Sequence, residues 1–256
     1  MKKVLLIFIM LCTASFVNAQ HGKERHNSGV EFSAGIDIVS SFVWRGLNLG
    51  NSPAIQPRAA LGISELEIGL LGSYALMANA SNGSHNVPYA EFDIELKYSI
   101  PTKIGTFSIT CTDIFLPHLG LEYFNYDGVV DGEETGAHCL AVGFEYEGPR
   151  RFPIYFKADY NFHNEVSKSI YGEFGLYYIC GRTNIKLFCG VALATNNEKH
   201  GSIFYELEEK DFGIINLGAT INRQIEVSDS FIIPLSTSVI INPTHEAVYL
   251  VGSLSL

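Results

Sequence analysis

Past its first twenty residues the chain has no uninterrupted apolar run approaching about 18 residues, so no later segment can cross a bilayer as a helix. It is equally short of basic charge. Lys and Arg number 17 against 27 Asp and Glu, a formal net charge of −10, and nothing basic is clustered beyond Arg150 and Arg151. A phosphate backbone would be repelled by such a surface, which excludes nucleic acid as a partner. Cysteine is scarce too, with Cys12 near the N-terminus and Cys111, Cys139, Cys180 and Cys189 further on. The last four have no metal-site spacing. Each falls in a strand-like segment, where a small apolar filler is expected, and a Cys111–Cys139 bridge across neighbouring strand ends stays open in an oxidising compartment.

What is present begins with the N-terminus. Lys2 and Lys3 give a positive start, Val4 through Leu11 an apolar stretch too short to anchor, and Val17-Asn18-Ala19 a small-residue cleavage site. Residues 1–19 therefore read as a cleavable signal peptide. Leu11 before Cys12 is too large for a lipoprotein signal, so a free N-terminus near Gln20 is expected. The domain organisation that follows is a short periplasmic segment, 20–29, and one domain, 30–256.

Alternation with period two recurs along this domain in blocks of about ten residues separated by turn-forming stretches, the pattern of membrane-spanning strands. In 88–100, Phe92, Ile94, Leu96 and Tyr98 share one face, and Glu91, Asp93, Glu95 and Lys97 share the other. In 153–163, Ile154, Phe156, Ala158, Tyr160 and Phe162 oppose Tyr155, Lys157, Asp159, Asn161 and His163. Segment 184–193 repeats the theme, with Ile185, Leu187, Cys189, Val191 and Leu193 opposite Lys186, Phe188, Gly190 and Ala192. The apolar set is assigned to lipid and the polar set to the lumen. Twelve blocks are expected: 30–45, 54–63, 65–77, 88–100, 104–114, 137–147, 152–163, 170–180, 184–194, 212–222, 230–241 and 246–256. An even number lets one chain close with both ends on the periplasmic side, and closure leaves no unpaired edge in hydrocarbon. The spacing predicts an all-β fold, a closed antiparallel transmembrane barrel of about 12 strands with short periplasmic turns and longer extracellular loops. An exported soluble β-sandwich would share the alternation and is the competing architecture. The final strand, ending on Leu256, resembles an insertion signal for the barrel-assembly machinery, although such signals usually end in an aromatic residue.

A run Ser40-Ser41-Phe42-Val43-Trp44-Arg45-Gly46-Leu47 precedes Pro53-Ala54-Ile55-Gln56-Pro57. Together with 91–99, Thr112-Asp113-Ile114-Phe115-Leu116-Pro117 and Ile241-Asn242-Pro243, these motifs resemble bacterial outer-membrane barrel proteins of the conserved-hypothetical Gcw_chp type. The resemblance spans most of the domain. It implies a barrel in the cell outer membrane, in a group often described as porins or transporters, and it brings no catalytic residue, cofactor or metal ligand.

Parity assigns Glu31, Ser33 and Asp37, then Gln56 and Arg58, then Glu65 and Glu67, then Glu91, Asp93, Glu95 and Lys97 to the lumen. Glu145, Glu147, Lys157, Asp159, Glu173 and Lys186 follow from later strands. An acid-rich water-filled lumen would favour cations. Alternatively the bases Arg58, Lys97, Lys157 and Lys186 pair with the acids and fill the interior. Trp44 reads as an interfacial girdle aromatic with Gly46 allowing the turn, and Arg45 alternatively as a charge at the mouth. His118, His138, His163, His200 and His245 are available for catalysis, but no hydroxyl is spaced with them to fix a site, so no enzyme is expected. Tyr123, Phe124 and Tyr126 followed by Asp127, Asp131, Glu133 and Glu134 form a loop that lacks calcium-loop spacing. Expected partners are outer-membrane lipids, the assembly machinery and small polar solutes. The leading function is a narrow passive channel for small polar or cationic solutes, the alternative a non-conducting barrel with a structural or loop-mediated binding role.

Overall fold

The computed structural model describes residues 29–77, 87–120, 122–126, 136–165, 167–195, 205, 207, 211–228 and 231–256, with the backbone of 129–130 and 133–134. The expected signal peptide, His200, Asp127 and Asp131 lie outside the described residues.

Twelve strands form one closed antiparallel barrel. They are β1 (Val30–Val39), β2 (Ala54–Ile63), β3 (Leu66–Ala75), β4 (Ala90–Thr102), β5 (Gly105–Phe115) and β6 (His138–Glu147). The second half continues with β7 (Ile154–His163), β8 (Ile170–Cys180), β9 (Thr183–Leu193), β10 (Phe212–Ser228), β11 (Phe231–Asn242) and β12 (Ala247–Ser255). Each pairs with its neighbours in sequence, and β1 closes onto β12. Every strand thus finds a partner on both sides, and no edge is left to pair with another chain. The alternation that marked the strands decides their faces. On β4, Leu96, Tyr98 and Ile100 are exposed on the outside while Glu91 is buried within. Phe32, Ile36 and Ile38 on β1, Phe144 on β6, Phe174 on β8 and Leu250 on β12 continue the exposed apolar surface around the barrel.

The closing seam is the shortest ladder. Asp37, Ile38 and Val39 face Ser255, Leu254 and Ser253, whereas β1 and β2 are in register from Val30 to Val39. Reciprocal backbone bonds between Ile36 and Leu256, 3.0 and 2.9 Å, extend the seam to the last residue.

Two-residue connections at 64–65, 103–104 and 181–182, with 148–153, occupy one end of the barrel. The other end carries 40–53, 76–89, 116–137, 164–169, 194–211 and 243–246. This is the asymmetry expected from loop lengths. Three differences from the sequence reading stand out. The first strand stops at Val39 rather than continuing to 45, because Ser40 onward turns into the barrel and forms its own hairpin, Val43–Trp44 with Leu47–Asn48. β10 runs on to Ser228, where an ion pair between Glu226 and Arg182, 2.5 Å, accompanies the projecting end. Glu65 sits in the turn, exposed and accepting from the Ser64 hydroxyl, instead of on the third strand's inner wall.

All four described cysteines are free. Cys111 faces Val142 across the β5–β6 ladder and Cys139 faces Ile114, so the two are out of register for a bridge. Val129–Val130 and Glu133–Glu134 form a small hairpin within the 116–137 loop.

Candidate functional site

The inner wall is built by parity. Side chains on alternate positions of a strand point to one face, so each strand delivers every second residue inward. All four bases assigned to the lumen meet acids. Arg58 Nε lies 3.0 Å from Asp37, Lys97 contacts Glu145, and Lys186 and Lys157 lie 3.3 and 4.0 Å from Glu173. Gln56 donates to Ser73 across β2 and β3. Glu31 is exposed at the start of β1, and Glu147 is exposed near the short-turn end.

Glu173 is the centre of the densest network. Its carboxylate accepts from the hydroxyls of Tyr155 (2.6 Å) and Tyr171 and from Asn216 Nδ2 (2.8 Å), besides the two lysines. A buried carboxylate is tolerable only when its lone pairs are satisfied in this way. Space for these side chains comes from small residues. A Cβ on Gly175 would lie 2.2 Å from the Tyr155 ring, and one on Gly190 would lie 2.3 Å from the Tyr171 hydroxyl. On β3 and β4 the inner face carries Glu67, Glu91, Asp93 and Glu95 together with Lys97. Glu91 accepts from Tyr89 at 2.5 Å, and Glu95 lies 3.5 Å from the Thr112 hydroxyl. The inner wall thus mixes charge unevenly: Lys157, Lys186 and Glu173 share β7 to β9, whereas on β3 and β4 four acids stand with the single base Lys97.

Between the two walls lies the hairpin of residues 43–48. Arg45 and Gly46 form its tip, both with positive φ, 50° and 82°, as a two-residue hairpin turn of the primed type requires. The tip is clamped at several points. Arg45 donates to Asp159 at 2.6 Å and to the Tyr205 hydroxyl. Its guanidinium carbon lies 4.4 Å from the ring centres of both Trp44 and Tyr171. The carbonyl of Gly46 accepts from buried Asn242 at 3.0 Å. Asp159 itself lies over Gly143, where a Cβ would come within 2.3 Å of its carboxylate. Burial by itself would lower the affinity of Arg45 for its proton, yet the neighbouring Tyr205, Asp159 and Tyr171 hold it above the ordinary value. Tyr205, buried in the same place, is pushed up to about 12, so it is a neutral hydroxyl at physiological pH.

Apolar packing completes the closure of this end. Leu47, Tyr171, Ala192, Ala194, Tyr205, Leu207 and Ile215 form one buried cluster, and Val39, Phe42, Ala54, Ala75 and Tyr89 form another. Trp44 and Leu49 pack against both. Trp44 stacks on Tyr205, centroids 5.7 Å apart and 4° from parallel. It thus lies among the loops inside the barrel, not on the outer girdle suggested by the sequence. The physical reason is the early exit of β1, which turns a residue counted as wall into a residue of the plug.

No family model matches the chain, and no curated protein matches it.

The remaining rim is aromatic. His138 is fully packed, 1% exposed, with Nδ1 2.7 Å from Asp113, and it stacks on Tyr126 at 4.0 Å between centroids. His118 places Nδ1 2.8 Å from the Ala90 carbonyl and packs on Tyr89. His163 approaches the Tyr126 carbonyl at 3.2 Å. Each of these three imidazoles is bonded to a carbonyl or a carboxylate. Among the described residues no group of three or more His, Cys, Asp and Glu is placed to hold a metal ion.

Parity places Tyr155 on the inner wall with Lys157 and Asp159, but Tyr171, Tyr177 and Tyr205 are not among the residues it singles out. Tyr171 and Tyr177 share the face of Glu173 on β8, so the same parity rule would have found them. Tyr205 comes from the 194–211 loop, where no periodicity points to it. Asn242 was visible only as part of the Asn-Pro motif, and the fold brings that motif onto the Trp-Arg-Gly motif nearly 200 residues earlier.

Proposed function

We propose that this barrel resides in the outer membrane and gives small polar or cationic solutes a narrow passive route. The observation that carries the reading is the contrast between its two faces. Outside, large apolar side chains are exposed on every side, a surface far beyond what a water-soluble monomer leaves uncovered, and one that suits hydrocarbon. Inside, charged and polar groups line the strands, with acids in excess over bases, which favours cations in a hydrated passage. The N-terminal signal and the likeness of five sequence segments to Gcw_chp-type barrels support the same location. In this reading the partners are outer-membrane lipids, the machinery that inserts barrels and the solutes themselves, and the barrel catalyses nothing.

Planar-bilayer recording of the refolded protein tests the proposal. Small, steady conductance with a reversal potential of cationic sign in a salt gradient is expected. An insulating barrel removes the channel reading, and an anionic sign contradicts the role given to the inner acids.

The packed clusters around Trp44 favour a second reading, a barrel closed at its long-loop end that acts structurally or through its loops. Insulating behaviour with normal insertion would move the assignment there.

A further inference from the structure

The hairpin tip does more than occupy space. It originates between β1 and β2, yet Arg45 bonds to Asp159 on β7, which stands on the far side of a twelve-membered ring of strands. The segment therefore spans the interior. Its contacts divide into two kinds. One kind is backbone and shape: Gly46 is pressed so close to β10 that a Cβ there would fall 1.7 Å from the Ile215 carbonyl oxygen. The other kind is a single charged side chain held by one carboxylate, one hydroxyl and two ring faces. A stacked, ion-paired guanidinium is a strong but reversible tether, because its charge is never lost while its partner can be exchanged. Glu91, on β4, also lies within electrostatic reach of Arg45. The cation thus stands between Glu91 of β4 and Asp159 of β7.

We propose that Arg45 determines the aperture and the charge preference of the passage, latching the 40–53 segment across it through Asp159. The inference rests on the channel reading above. Arg45 sets the local charge directly, and Asp159 is a positioning residue that acts through it. The two partners therefore make separable predictions. Removing Arg45 frees the hairpin and deletes a positive charge from an acidic constriction. Removing the Asp159 charge frees the hairpin and leaves the positive charge in place without its counter-ion. Loss of the latch is common to both, while the change in electrostatic sign is opposite.

The test compares the refolded chain with Arg45→Gln and Asp159→Asn in planar bilayers, each checked for barrel formation by heat-modifiable gel mobility. Conductance should rise severalfold in both variants. Cation preference, read from the reversal potential, should increase in Arg45→Gln and decrease in Asp159→Asn. Trp44 is the chain's only tryptophan and sits in the hairpin, so its fluorescence reports the latch without any current. Emission should shift to the red and acrylamide quenching should rise in both variants. If the unaltered chain conducts and neither variant differs in current, reversal potential or quenching, the latch is wrong while the channel stands. Should the unaltered chain insulate and the variants conduct, the latch holds and the constitutive channel fails. Insulation by all three overturns both.

Discussion

At the scale of single residues, the interior is governed by what each polar group can bond to. Glu173 has five donors around one carboxylate, and Asn242 uses its amide nitrogen on the Gly46 carbonyl and its oxygen on the backbone of Thr244 and His245. His118 is a residue of this kind whose titration bears on stability. Its pKa lies below the ordinary value because burial penalises the imidazolium, an effect that the Ala90 carbonyl only partly offsets. A base whose folded pKa is depressed supports the fold fully above its unfolded value, about 6.5, and loses that support as pH falls through the folded value. The barrel should therefore unfold at lower urea as pH drops from about 7.5 toward 5. Replacing His118 with Asn should flatten part of that slope. An identical pH profile for the variant would show that the imidazole at 118 plays no part.

At the scale of elements, the decisive unit is the two-stranded hairpin inside the barrel. Its sequence, Val-Trp-Arg-Gly-Leu-Asn, has the alternating flanks and the glycine that a tight turn needs, yet nothing local dictates that the hairpin should fold inward. The inward course follows from contacts far away in sequence. Gly46 carries the sharpest constraint, since its positive φ and its closeness to the Ile215 carbonyl both exclude a side chain. Gly46→Ala should cost about 1–3 kcal/mol in backbone strain if the hairpin stays docked. Displacement relieves both constraints, so the hairpin should instead lift. Trp44 fluorescence of the variant should then resemble that of the unlatched forms, with heat-modifiable mobility retained. Emission unchanged from the parent chain would mean that the tip has room which the contacts do not suggest.

At the scale of the whole molecule, the barrel depends on one narrow seam. The β1–β12 ladder is limited to three facing pairs, the bonds between Ser40 and Gly252 and the clasp of Leu256 on Ile36, because beyond Ser40 the chain turns inward and leaves the wall. A closed sheet has no stable half-open form in hydrocarbon, where unpaired backbone groups find no water. Deleting Leu256 removes both bonds of the clasp at once. Refolding yield into vesicles should drop, and the folded band should lose its resistance to heating at a lower temperature than in the full chain. Equal yield and equal heat resistance would place the strength of the seam elsewhere.

Strand number, faces and most of the charged wall are legible from the alternation alone, because a closed barrel with an apolar outside and a polar inside forces each strand to show two unlike sides. Blocks such as 54–63 and 170–180 coincide with β2 and β8 for that reason. Pairing of Lys97 with Glu145 or Lys186 with Glu173 was anticipated only as an alternative, since parity gives the face but not the neighbour across it. The segment after Val39 escaped because its alternation continues beyond the wall, and local pattern cannot distinguish a strand in a barrel from a hairpin within one. Composition and periodicity thus determined a closed barrel with an apolar exterior and an acidic interior. Only the tertiary structure decided that Trp44 and Arg45 lie inside, for their partners Tyr205, Asp159 and Asn242 come together through barrel closure and through loops that carry no period of their own.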